Sequence, residues 1–76
     1  MSLTTVLEAL QFEVGMTRFE ADVFMRGGCG DVVERADKKA VAHGYVLDSS
    51  DHSEFWSSIG IDEDTYEAAI DEMMAD

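Results

Sequence analysis

Glycines and helix caps constrain this chain more than any other feature. Gly15, Gly27, Gly44 and Gly60 each end a run that suits a short helix. A glycine there supplies the left-handed residue that closes a last turn. Capping pairs precede several of these runs: Thr5 with Glu8, Thr17 with Glu20, Asp31 with Glu34, and Asp51 with Glu54. In each pair the first side chain accepts from an unsatisfied amide, and the acid three residues on reaches back. Asp62 is a further N-cap, with Ile61 and Tyr66 placed as a hydrophobic staple. The spacing predicts an all-α fold: a compact bundle of four to five short helices, near 5–14, 17–26, 31–43, 51–59 and 62–74.

Apolar periodicity supports the later helices most clearly. Val32, Val33, Ala36, Ala40 and Val41 share one side of a helix over 31–43. Tyr66, Ala69, Ile70, Met73 and Met74 form the stripe of the last helix, and acids cover the rest. The early chain carries a competing signal. Leu10, Phe12, Val14 and Met16 alternate with polar residues or glycine, and Phe19, Ala21, Val23 and Met25 alternate again. A period of two is the mark of a strand, so an α+β alternative places a β-hairpin over about residues 10–25. Val46-Leu47, in the loop after Gly44, is expected to plug the core.

With 76 residues the chain is expected to form a single small acidic domain, 1–76. A chain of this size buries only about 60% of its unfolded surface. Its aromatic and aliphatic content is too high for a disordered acidic tail. It has no apolar run of roughly 18 residues and no basic N-terminal region. Its one cysteine offers neither an internal disulfide nor a zinc quartet. A cytoplasmic setting is the expectation.

Charge placement carries the functional reading. The formal net charge is −12. Residues 1–43 hold seven acids and all five bases, a net of −2, which leaves ten acids and no Lys or Arg in residues 44–76. Glu63, Glu67 and Asp71 follow an i, i+4, i+8 row on the last helix, flanked by Asp64 and Glu72. Like charges so spaced cost a helix roughly 0.2–0.5 kcal/mol per pair, and a chain needing only solubility has Lys as an alternative. Some of the acids have a local explanation, because Asp51, Asp62, Glu63 and Asp64 fall in first turns, where the helix dipole favours anions. A carboxylate row about 6 Å apart is comparable with successive phosphates on one nucleic-acid strand. So acidic a chain is not expected to bind nucleic acid or an anionic membrane itself.

Motifs for chemistry are few. Cys29, in Gly27-Gly28-Cys29-Gly30 ahead of Asp31, sits where a thiol pKa can fall. A nucleophile also needs a base, and His43 lies at the far end of the same predicted helix. A tight glycine turn explains the run without reactivity. The stretch Asp48-Ser49-Ser50-Asp51-His52-Ser53-Glu54 offers oxygen ligands but lacks the Gly and the bidentate Glu of a calcium loop. A helix N-cap accounts for it better. Phe55 and Trp56 are adjacent, so one is core and the other, Trp56, is the candidate exposed anchor in an acidic surface. Burial of both at a helix-packing corner is the competing reading.

No enzymatic activity, catalytic residue, metal or cofactor is expected. The expected function is an acidic binding protein that occludes a basic, nucleic-acid-binding surface of a partner. That is an inhibitor of nucleic-acid-mimic type, of the kind phages direct against host restriction, CRISPR or transcription machinery. The candidate partner-binding residues are Asp48, Asp51, Glu54, Trp56, Asp62, Glu63, Asp64, Glu67, Asp71 and Glu72. The alternative is an acidic helical adaptor or carrier-like domain whose charge only solubilises it. The chain is expected to be a monomer or a homodimer.

Overall fold

The computed structural model describes residues 2–28, 30–49 and 51–75. The fold is all-α, with five α-helices and no strand among the described residues: α1 (Ser2–Ala9), α2 (Arg18–Arg26), α3 (Asp31–Ala42), α4 (Ser53–Ser58) and α5 (Glu63–Ala75). A π-turn over Leu10–Val14 continues α1. The radius of gyration is 11.3 Å, near the ~11 Å expected of a compact domain of this length.

The hairpin alternative is overturned, because residues 10–25 lie in the π-turn and α2. The alternation there had a different source. The π-turn buries Leu10 and Val14, and Met16 enters the core just past Gly15, but Phe12 is 80% exposed. Gly15 adopts φ +86°, and the Met16 amide donates back to the Leu10 carbonyl at 3.2 Å. That reversal turns the chain sharply enough for an α-helix to follow at once. In α2, Ala21 is buried but Phe19 is 64% exposed, so a two-residue period does not describe its core face either.

Helix starts agree with the caps in two places. Thr17 forms the full capping box, accepting from the Glu20 amide at 3.1 Å while its own amide donates to Glu20 Oε1 at 2.8 Å. Asp62 Oδ1 accepts from the Thr65 amide at 2.7 Å and opens α5. The other three pairs do not form boxes. Thr5 lies inside α1, which already runs from Ser2. Asp31 is the first residue of α3 after Gly30, too late to cap it, and serves the dipole instead. Asp51 Oδ1 accepts from the Ser53 amide at 3.0 Å, a tight Asx turn that leaves Glu54 outside.

The core joins helices distant in sequence. The start of α1 lies against the end of α5, where the Leu3 amide donates to Glu72 Oε2 at 2.8 Å. The main pairings are α1 with α5 and α2 with α3. Val6, Leu7, Leu10, Val14, Met16, Ala21, Ala36, Ala40 and Ala69 fill the space between them. Small residues on α3 and α5 let helix axes come close. On α3, Val41 is 46% exposed and leaves the apolar face predicted for it; on α5, Met74 is 79% exposed.

The loop after Gly44 plugs the core with a different residue from the one expected. Val46 and Leu47 are exposed at 57% and 58%. The Ser49 amide closes a turn onto the Val46 carbonyl at 3.2 Å, which holds both side chains outward. Tyr45 packs inward instead, edge-on to Phe24 at 5.2 Å and to Phe55 at 5.1 Å.

Candidate functional site

Three ion pairs occur among the described residues, and all lie within residues 20–39. Arg26 pairs with Asp22 at 3.0 Å on α2. Glu20, 4% exposed, receives Lys39 at 2.6 Å and Arg35 at 3.3 Å from α3. The Lys39 hydrogen bond and the Thr17 amide outweigh desolvation and lower the Glu20 pKa from 4.5 to about 2. This cluster locks α2 to α3. It consumes two of the chain's five bases, Arg26 is held by Asp22, and no described ion pair reaches an acid of residues 44–76.

Those acids divide into two sets. Glu63, Glu67 and Asp71 are exposed along α5, as are Asp64 beside them and Asp48, Asp51, Glu54 and Asp62 in the preceding segment. Glu72 is set apart. It is half-buried and accepts from the α1 amide, so it caps a helix rather than facing solvent. Asp51 and Asp62 also have local duties. The Ser53 amide holds Asp51 below its ordinary pKa, and hydrogen bonds from Thr65 do the same for Asp62.

Trp56 is not the exposed anchor. It and Phe55 are buried at 7% and 3% exposure. Both rings pack against Phe24 of α2, Phe55 at 6.4 Å and Trp56 at 6.3 Å. Gly60 takes φ +81°, and the Ile61 amide returns to the Trp56 carbonyl at 2.8 Å, folding the chain over the indole. Rings then link the elements in series. His52 stacks on Tyr45 at 4.1 Å, Phe24 lies 6.3 Å from Trp56, and Trp56 lies 4.9 Å from Tyr66. Burial raises the Tyr45 phenol above its ordinary pKa, with smaller contributions from Tyr66 and Asp37.

The space between α4 and the start of α5 is an open cleft of about 680 Å³. Trp56, Ile61 and Tyr66 supply its apolar lining. Asp51, Asp62, Glu63 and Glu67 supply carboxylates around it. His52 stands in its wall, and its Nδ1 is sealed from solvent with no hydrogen-bond partner among the described residues. Five of the residues read from sequence as partner-binding, Asp51, Trp56, Asp62, Glu63 and Glu67, therefore meet in one place. Glu54 faces the other side of α4, while Asp48, Asp64 and Asp71 lie outside the cleft. Tyr66 and His52 were missed. Tyr66 was read as a staple and as part of the apolar stripe of the last helix, and the fold-back at Gly60 that pairs it with Trp56 has no periodic signal.

Cys29 and Ser50 lie outside the described residues, so the readings of the glycine-rich turn and of the Asp48–Glu54 stretch are not carried further. No group of three or more His, Cys, Asp or Glu side chains among the described residues is placed to hold a metal ion. None of the described helices is long and apolar enough to cross a membrane. No protein-family model matches the chain, and neither curated proteins nor solved structures give a significant match.

Proposed function

We propose that the chain is a non-enzymatic acidic binding protein whose α4–α5 side docks on a basic, nucleic-acid-binding surface of a partner protein. The observation that carries this reading is the absence of internal neutralisation. No described ion pair involves an acid of residues 44–76, and Glu63, Asp64, Glu67 and Asp71 stand exposed together on one short helix. Unpaired like charges add a lasting electrostatic cost to the fold. A partner that supplies the missing cations relieves it, and the field that costs stability in isolation speeds association. Basic surfaces large enough to match belong mainly to nucleic-acid-binding proteins. On this reading the protein competes with the nucleic acid for that surface, as a mimic-type inhibitor of the kind phages encode, working inside the cell.

The test is retention of lysate proteins on the immobilised chain, followed by elution with duplex DNA. The comparison protein carries Glu63→Gln, Glu67→Lys and Asp71→Asn. Nucleic-acid-binding proteins should be retained by the native chain, released by DNA or by high salt, and lost with the variant. Equal retention by both chains, or release insensitive to DNA and salt, overturns the reading.

A further inference from the structure

The acidic rim does not by itself define what enters the α4–α5 cleft, but its interior narrows the choice. An occupant must bring positive charge to Glu63 and Glu67, the exposed lining carboxylates that accept no hydrogen bond among the described residues. Asp62 is committed to the Thr65 amide and Asp51 to the Ser53 amide. The occupant must also cover the exposed part of the Tyr66 ring, which packs 4.9 Å from the nearly buried Trp56 indole at 39°. An ammonium is compact and strongly hydrated, so it meets the rim and leaves the ring uncovered. A guanidinium is planar and weakly hydrated, stacks on aromatic faces, and forks onto carboxylates. It carries five N–H donors in a fixed fork, which a pair of carboxylates can accept.

We propose that the cleft between α4 and α5 takes an arginine side chain of the partner, its guanidinium against Tyr66 and between Glu63 and Glu67. This rests on the acidic side being a docking surface, and it makes that surface selective for arginine over lysine. The rest of the α5 row meets charge at the rim.

Two peptides of equal length and charge serve as probes, one with arginines and one with lysines, each spaced by Gly and Ser. Trp56 is the only tryptophan, so its fluorescence reports occupancy directly. Amide and indole chemical shifts in nitrogen-15-labelled protein then locate the bound peptide. The arginine peptide should bind saturably and about fivefold tighter, the range expected of a partly desolvated cation over an aromatic ring. Tyr66→Leu should abolish the preference. Because Tyr66 packs on the core, the pair Glu63→Gln and Glu67→Gln provides a second route, and it should weaken the arginine peptide most. Asp71→Asn, outside the cleft, should weaken both peptides alike.

Equal affinities, with shifts spread along α5 rather than at Trp56 and Tyr66, overturn the arginine site and leave the acidic docking surface standing. No binding of either peptide at low salt also overturns the site, while the docking surface is judged by lysate retention. Concentration-dependent dimers that Arg18→Ala dissociates would assign the cleft to a second copy of this chain and overturn the proposal.

Discussion

Glu20 and Lys39 meet at 2.6 Å across the α2–α3 interface, with the carboxylate buried and the lysine side chain 37% exposed. The pair makes Glu20 a pH-sensitive part of the fold. Its folded pKa of about 2 lies below its ordinary 4.5, so its contribution is complete above about pH 4.5 and is lost as pH falls from there through about 2. Protonation of the other acids relieves the repulsion within a −12 chain over the same range and acts in the opposite direction. Comparing native protein with Glu20→Gln cancels that common effect. At neutral pH the variant should be less stable by about 1.5–3 kcal/mol, the scale of hydrogen bonds to a charged group. Denaturant titrations at stepped pH should show the difference shrinking below about pH 4.5 and closing near pH 2. A difference that stays constant with pH would mean the carboxylate charge does not hold α2 to α3.

Leu10 and Phe12 are two residues apart and have opposite fates. Leu10 is fully buried and Phe12 is 80% exposed. Leu10→Ala should cost about 2–5 kcal/mol, a large share of the stability of so small a domain. Phe12→Ser should change stability by no more than about 0.5 kcal/mol. Urea unfolding of the two variants checks this. A hairpin with both side chains on one face would make the two losses similar.

Local chemistry explains which parts of this fold were readable in sequence. Thr17 with Glu20, and Asp62, are caps whose partners lie within three residues, and both formed. Asp31 failed as a cap because Gly30 had already taken the position. Long-range choices left no such trace. Nothing in the sequence pattern shows that Glu20 would bind α3, that Glu72 would cap α1, or that Tyr45 rather than Leu47 would enter the core. The acidic half was legible as composition, but the cleft was not. It depends on the turn at Gly60 bringing Tyr66 over Trp56.

Gly60 is the hinge of that arrangement, and its φ of +81° is the whole of its constraint. A Cβ at Gly60 would meet nothing within 4 Å. Gly60→Ala should therefore cost only the left-handed backbone penalty, about 1–2 kcal/mol. For a domain of this size each lost kcal/mol lowers the thermal midpoint by about 4–8 °C. Calorimetry of the alanine variant measures it. A loss near zero would show that the chain can reverse after α4 without a left-handed residue.

The α5 row separates function from stability most cleanly, provided the right acids are changed. Glu72 must be left alone, because its carboxylate satisfies the Leu3 amide and its loss would loosen α1. Glu63→Gln, Glu67→Lys and Asp71→Asn together remove both i, i+4 repulsions, worth roughly 0.2–0.5 kcal/mol each. The change at Glu63 gives back a similar amount by removing an acid from the first turn, where the dipole favours it. The thermal midpoint should therefore move little. Affinity for the captured partner should fall by more than about tenfold at low salt, because three rim charges act together although each exposed pair contributes only about 0.2–1 kcal/mol. Most of the loss should lie in the association rate, and it should narrow as salt screens the native chain. Stopped-flow association at two ionic strengths, with melting curves on the same samples, resolves the two effects. Unchanged association rates at low salt would reduce the row to a solvated face and remove the electrostatic basis of the proposed docking.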